Sequence, residues 1–296
     1  MLISVFTPTY NRADLIHRVF DSLLAQDFRD FEWIIVDDGS TDDTADVIDG
    51  FRKDADFPIK VHFQENKGKV AAINRGLNLA DGELFICFDS DDWCTPHSFS
   101  KIAAEWKALG DEIRESYCGI SCLKILRDQS IVGEDYTRMQ KFGETYVDRF
   151  NRRIQGDKWE ILRTDLHRKA VYDLAPNERY MAPEYSWLKM GREYKTIFLN
   201  EPLSIVEYQA GGISLNNLSH RVSSPVSAMR FYQLAWSVSD NCISRLRSAI
   251  NLVRFAYHAG CDLNLPFASR VIAIVPGWLF YRKDLRTIGK FKRSGS

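Results

Sequence analysis

Glu-Leu-Phe-Ile-Cys-Phe-Asp-Ser-Asp-Asp, residues 83–92, is an apolar run that stops in an acidic turn. Glu83 to Phe88 has the length and composition of a buried strand, and it ends in Asp89-Ser90-Asp91-Asp92. The arrangement occurs twice upstream. Leu2 to Pro8, LISVFTP, reads as a buried strand and runs into Thr9-Tyr10-Asn11. Phe31 to Val36, FEWIIV, is a second strand and runs into Asp37-Asp38-Gly39-Ser40. Between them Asn11 to Gln26 has helical spacing, with Leu15, Val19, Phe20, Leu23 and Leu24 on one face. Asp42 to Phe51 reads as a short helix capped at Ser40 or Thr41. Ile59 to Phe63 alternates as a third strand, and Lys69 to Ala80 is helical with Ala72, Ile73, Leu77 and Leu79 inward. Such alternation of strand and helix through residues 1–90 argues for a parallel α/β sheet covered on both faces. Ligands on such sheets sit beyond the carboxyl ends of the strands. The turns at 7–11, 37–40 and 89–92 therefore line one edge.

Asp89 and Asp91 project from one strand end, with Ser90 as a small spacer. Two carboxylates so placed share one hard cation, and Mg²⁺ and Mn²⁺ take one or two carboxylates plus substrate phosphates. A solvated acidic turn, or an N-cap ahead of Pro96, is the alternative. Strand-end aspartates such as Asp37 and Asp38 bond ribose hydroxyls or a base N–H; the alternative is an Asx turn capping the next helix. Tyr10 offers an aromatic face to a base, unless Pro8 does no more than end the strand. Asn66-Lys67-Gly68-Lys69 opens a helix, where N–H groups and lysines face phosphate. The absence of G-x-x-x-x-G-K-[ST] and G-x-G-x-x-G excludes a P-loop and a dinucleotide fingerprint.

The chain has 296 residues, enough for one large domain or two. With 45% hydrophobic and 27% charged residues, it is neither disordered nor a disulfide scaffold. The six cysteines include no C-x-x-C pair, which argues against zinc and for free thiols in a reducing compartment. The start goes directly into strand-like sequence, so no signal peptide is expected. No apolar run approaches the ~20 residues of a membrane span; the longest, Val271 to Tyr281, is broken by Pro276-Gly277. In the middle of the chain Pro96 to Leu109 and Glu184 to Arg192 read as helices. Tyr117 to Leu126, Lys158 to Leu162, Thr196 to Leu199 and Ser204 to Tyr208 read as strands. After Gly211-Gly212 the character changes, and residues 221–259 are helical in pattern.

Together these motifs resemble the family 2 glycosyltransferases. The resemblance is carried by Ser4 to Arg12, Ile35 to Asp42, Asn66 to Lys69 with Asn74-Arg75-Gly76, and Gly82-Glu83 through Asp92. It implies the GT-A fold: a mixed, mainly parallel sheet flanked by helices, here with a C-terminal helical extension. It implies residues 1–219 as the transferase domain, with 1–95 the nucleotide-binding half and 96–219 the acceptor half. It further implies a cytosolic, hexosyltransferase-like enzyme in polysaccharide biosynthesis. Such an enzyme uses a nucleotide-diphosphate sugar, UDP-linked in the first instance, with Mn²⁺ or Mg²⁺, and inverts the anomeric carbon. Thr7, Pro8 and Tyr10 would hold the base, Asp38 would accept from pyrimidine or ribose, and Gly68, Lys69 and Asn74 would form the nucleotide-side wall. Asp89 with Ser90 would meet the ribose, and Asp91, with Asp89, the metal. Ile73 departs from the pattern, since many relatives carry Arg there. The acidic pair that opens a later helix in relatives falls at Ala182-Pro183-Glu184-Tyr185, leaving Glu184 as the base for the acceptor hydroxyl. Helix N-terminal charge complementarity is its alternative, and Glu178 and Asp157 are the other candidates for the base.

Residues 220–296 carry nine Arg and three Lys against three Asp, a net +9, leaving −10 on residues 1–219. Arg245, Arg247 and Arg254 interleave with Leu246, Ile250, Leu252, Val253 and Phe255, and Trp278, Phe280 and Tyr281 stand beside Arg282, Lys283 and Arg286, a pattern that suits peripheral contact with the inner face of the cell membrane and a lipid-linked or glycan acceptor. A helical lid with a solvated basic end is the alternative. No nucleic-acid module is present. Two further functions share parts of the pattern. A sugar-nucleotidyltransferase would open with a Gly-rich loop where Thr7 to Asn11 stand, and a non-catalytic assembly subunit would not need Asp89, Asp91 and Glu184.

Overall fold

Strand and helix alternate from the third residue of the computed structural model, which describes residues 1–207 and 217–294, with side chains as far as 287. β1 (Ile3–Thr9), α1 (His17–Leu24), β2 (Phe31–Asp37), α2 (Thr44–Asp54), β3 (Ile59–Phe63), α3 (Lys69–Leu79) and β4 (Leu84–Cys87) come first. They are followed by β5 (Trp93–Cys94), α4 (Ser98–Lys107), α5 (Asp111–Arg114), β6 (Tyr117–Leu126), α6 (Tyr146–Arg152), β7 (Lys158–Arg163), α7 (Thr164–Lys169) and β8 (Lys195–Val206). All eight strands form one sheet in the order β3-β2-β1-β4-β7-β6-β8-β5. The first four are parallel, β7 is antiparallel to both β4 and β6, β8 runs parallel to β6, and β5 is antiparallel to β8. The sheet is thus mixed, as expected.

β1 and β2 are buried along nearly their whole length, which is why they read as continuous apolar runs. One face is filled by aromatic rings: Phe20 stacks on Phe51 at 4.2 Å and on Trp33 at 6.0 Å, and Phe31 meets Phe57 and Phe99. On the other face α3 lies against β1. A Cβ at Gly76 would stand 2.2 Å from the Phe6 ring, so the helix reaches this strand only through glycine. Ile73, one turn earlier, is buried.

Among the boundaries that differ from the sequence reading, three have a visible cause. α1 starts at His17 rather than Asn11, because the N–H groups of Asn11, Arg12 and Ala13 bond Ser40, Thr44 and Asp42 across the sheet edge. α2 starts at Thr44 rather than Asp42, and neither Ser40 nor Thr41 caps it. The two strands read between Thr196 and Tyr208 are the single strand β8, which absorbs Pro202 at a register irregularity opposite Leu123. Tyr208 and Gly211-Gly212 lie outside the described residues.

The chain divides into two compact units, Met1–Val171 with Met190–Gln209 and Tyr172–Lys189 with Ala210–Ser296. The second unit is helical: α8 (Glu184–Met190, its last residue in the first unit), α9 (Asn217–Ser223), α10 (Pro225–Val238), α11 (Cys242–Ala259) and α12 (Phe267–Ser294). Glu178 caps α10 by accepting from Val226 N and Ser227 N, both at 2.7 Å. Asn241 caps α11 through Ser244 N, and Gly260 ends it with φ 63°. α12 packs on α11 through Ala273 and Gly277, where a Cβ on the glycine would lie 2.6 Å from Val253. Further along, Asp284 takes Arg254 and His258 of α11 on its two oxygens.

His167 of α7 is fully enclosed, edge-on to Phe85, and burial pushes its imidazole down to about 4. Between pH 6.5 and 4 the unfolded chain therefore binds a proton that the folded chain refuses. Stability should fall through that window as pH drops, by about 3 kcal/mol at pH 4. His167→Phe should flatten this part of the acid limb in urea melts taken at pH 7, 5.5 and 4.

Candidate active site

The parallel register brings three strand ends into line. Thr9 of β1 stands beside Asp37 of β2, and Asp37 beside Phe63 of β3. Tyr10, Asp38 and Gln64 thus leave the sheet side by side. Their loops are then bonded to one another. Asn11, with φ 50°, donates its N–H to Ser40 Oγ at 2.9 Å, and its side-chain oxygen accepts from Thr41 N at 2.8 Å. Asp37 Oδ1 accepts from Ser40 N at 2.8 Å, closing an Asx turn. Gly39 turns with φ 82°, and a Cβ there would lie 2.9 Å from Asn66 N.

Asp38 is buried and holds the loop that opens α3. Its Oδ1 accepts from Gln64 Nε2 and Lys67 N, both at 2.8 Å, and its Oδ2 accepts from Gly68 N at 2.7 Å. Gly68 precedes α3 with φ 91°. The next residue, Lys69, sends its ammonium to Asp89 Oδ1 at 2.5 Å. On the other side of the acidic turn, Lys124 of β6 reaches Asp157 Oδ2 at 2.8 Å and Asp92 Oδ2 at 3.4 Å. Lys124 is a buried lysine between two carboxylates.

The charges are strongly coupled. Burial pushes the Asp89 carboxyl up, but the Lys69 and Lys124 ammoniums outweigh it, and Asp89 lies below its ordinary value. Asp91 is pushed up by burial and by the Asp89 charge, and it has no ion-pair partner among the described residues. Asp92 is pushed up to about 7, first by burial, with Lys124 opposing and the neighbouring aspartates adding to it. Burial opposes the charge of Lys69 and Lys124, yet the facing carboxylates raise both above the ordinary lysine value. The Cys87 thiol, at the end of β4, is pushed up to about 12 by burial and is not a nucleophile at neutral pH.

These contacts bring Asp38 against Gly68, and Lys69 against Asp89. Ser90 is buried in the turn, and Asn74 is half-buried on α3. Tyr10 is exposed beyond β1, and Pro8 pairs with Val36. Thr7 is fully buried and its hydroxyl accepts from Trp33 Nε1 at 2.9 Å, so its side chain serves the sheet. Glu184 opens α8 in the second unit, with no hydrogen-bond or ion-pair partner among the described residues. Of the other carboxylates considered for its role, Glu178 has both oxygens on α10, and Asp157 is paired with Lys124.

Sequence reasoning passed over Lys124 and Gln64. Lys124 was detectable: a lysine inside the otherwise buried strand YCGISCLKIL needs an anion beside it. The Gln64 contact depends on the register of β3 and left no mark in the sequence.

The donor set at the acidic turn is carboxylate oxygen, the chemistry of Mg²⁺ and Mn²⁺. Among the described residues no three ligating groups form a ready cage. Asp91, raised and without an ion pair among the described residues, with Asp89 two positions away, fits a cation completed by diphosphate oxygens.

The family model "Glycosyl transferase family 2" matches residues 4–119. The putative teichuronic acid biosynthesis glycosyltransferase TuaG of Bacillus subtilis is 30% identical over 223 residues, 73% of this chain and 82% of that protein. Shorter curated matches span about a third of the relatives' own length. Among solved structures, S. aureus TarS 1–349 in complex with UDP-GlcNAc covers this whole chain and 93% of its own, at TM-score 0.62 and 20% identity. The mannosyltransferase PcManGT of Pyrobaculum calidifontis, in complex with GDP-Man and Mn²⁺, covers 97% of this chain and 84% of its own, at TM-score 0.58 and 17% identity. These structures share the fold.

Removing the Lys124 charge leaves the buried Asp92 without its cation, next to the exposed Asp157. Lys124→Met should cost about 3–5 kcal/mol in urea unfolding. Adding Asp157→Asn should recover part of it. A loss below about 1 kcal/mol, the range of an exposed ion pair, would contradict this reading of the cluster.

Proposed function

The chain belongs to glycosyltransferase family 2, and from that membership we propose that it moves a sugar from a nucleotide-diphosphate donor to a hydroxyl of a glycan or lipid-linked acceptor, with inversion. The observation that carries the reading is the strand-end cluster. An exposed aromatic ring, a buried Asp38 holding the α3 N-terminus, and an acidic turn whose Asp91 has no ion pair among the described residues stand on one sheet edge of the first unit. UDP is the first nucleotide to test, since a fold relative is seen with UDP-GlcNAc. Acceptor synthesis on the cytoplasmic side of the membrane would suit the lipid-linked case.

Tyr10 and Pro8 bound the base, and Thr7 acts through the strand end it stabilises. Asp38 uses its remaining acceptor capacity on the base or ribose. Gly68, Lys69 and Asn74 form the wall along the nucleotide, and Asp89 and Ser90 meet the ribose. Asp91, with Asp89, would hold Mn²⁺ or Mg²⁺, which when bound neutralises the diphosphate leaving group. The acceptor oxygen attacks C1 from the side opposite the nucleotide. The bond from C1 to the phosphate oxygen breaks in the same step, and the acceptor proton passes to Glu184. The sugar ends on the acceptor, and the nucleoside diphosphate departs.

Glu184→Gln keeps the size of the side chain and removes the base. It should lower kcat for sugar transfer by about 10²–10⁴-fold while leaving the donor KM within a few-fold, measured with a panel of UDP-, GDP- and dTDP-sugars. Unchanged kcat in this variant would remove Glu184 from the reaction.

A further inference from the structure

The outward face of α12 is apolar and has no carboxylate. Ala273, Gly277 and Asp284 are its buried positions, four and seven residues apart, and they fix the side of the helix turned to α11. The opposite side carries Val271, Ile272, Val275, Trp278 and Leu279, all exposed, with Phe267 at its start. Exposure is 82% at Phe267, 63% at Val275 and 61% at Ile272, and these side chains stand together on one side, as a patch and not as single surface residues. One turn further along the same side stand Arg282, Lys283 and Arg286, all exposed, and the Arg282 guanidinium lies 5.5 Å from the Trp278 ring centre. Between Phe267 and Thr287 the one acid is Asp284, buried with its oxygens on Arg254 and His258. The sequence adds Lys290, Lys292 and Arg293 beyond.

We propose that this face of α12 lies on an anionic bilayer surface. Val271, Val275, Trp278 and Leu279 enter the acyl boundary, and Arg282, Lys283 and Arg286 sit among the headgroups. An amphipathic helix with a wide apolar side, an aromatic residue at its polar border and cations without acids is the pattern that binds such an interface. No helix of the described residues is long and apolar enough to cross a membrane, so the contact is one of lying on the surface. The same face of a second copy would complement it poorly, since it brings more cations and no acid to receive these. The inference does not depend on the transferase reading, because its test measures no turnover.

The test is co-sedimentation of the full chain with vesicles of neutral lipid alone and of neutral lipid with one quarter anionic lipid, beside sedimentation velocity without lipid. The chain should bind the anionic vesicles and release them in high salt. Val275→Glu should abolish binding while the far-UV spectrum and melting temperature stay unchanged. The triple change Arg282→Gln, Lys283→Gln, Arg286→Gln should weaken binding by at least tenfold, since each surface cation contributes about fivefold. Failure to bind anionic vesicles, or binding unaffected by both variants, would overturn the proposal. So would a dimer in the absence of lipid that Val275→Glu dissociates, which would make the face a subunit contact.

Discussion

Four carboxylates, Asp89, Asp91, Asp92 and Asp157, gather at the end of β4, where among the described residues Lys69 and Lys124 pair with three of them and the Arg12 charge acts on Asp89 and Asp91. A buried pair such as Lys124 with Asp92 is tolerated only where the partners are fixed, and much of the first unit fixes them. Lys69 is delivered by the start of α3, which Asp38 pins from β2 and which Gly76 lets approach β1. Lys124 is delivered by β6 and Asp157 by the turn into β7, strands paired directly in the sheet. Asp91 stands outside any ion pair among the described residues, and a divalent ion is the kind of partner that would fit it.

The topology explains why the cluster forms where it does. Parallel β1, β2 and β3 end in one row, so their loops meet, and a short set of side-chain bonds joins them. The antiparallel entry of β7 beside β4 then turns the chain back and places Asp157 at the same edge as Asp92. The site follows from strand direction and register, and the chemistry-bearing residues need only stand at strand ends. In the second unit the same economy holds α11 to α12: small residues allow close approach, and one buried aspartate satisfies two cationic side chains.

Most of this was legible in the sequence because it is local. β1 to β4 could be read from apolar runs ending in turn residues, and β6 was read as Tyr117 to Leu126, the bounds it has. What was lost is nonlocal. The late start of α1 comes from bonds between Asn11, Arg12 and Ala13 and residues about 30 positions away, which no helical periodicity reports. The two strands read around Pro202 are one because β6 supplies a partner along their whole length. Thr7 shows the limit for a site residue. Its motif matches the family, but only the fold reveals that Trp33 occupies its hydroxyl. Glu184 was chosen by position in a motif, and the structure adds that its carboxylate has no partner among the described residues while Glu178 is taken up as a helix cap.

On this account the acidic turn, with Asp91 outside any ion pair among the described residues, would be completed by a divalent cation together with a nucleoside diphosphate. Calorimetric titration of UDP into the full chain with Mn²⁺, repeated with EDTA and with Asp91→Ala, tests it most directly. The account predicts binding that needs the metal and is lost in the variant, with GDP and dTDP taken through the same series. Silence from all three nucleotides, or binding to Asp91→Ala equal to that of the unsubstituted chain, would contradict it.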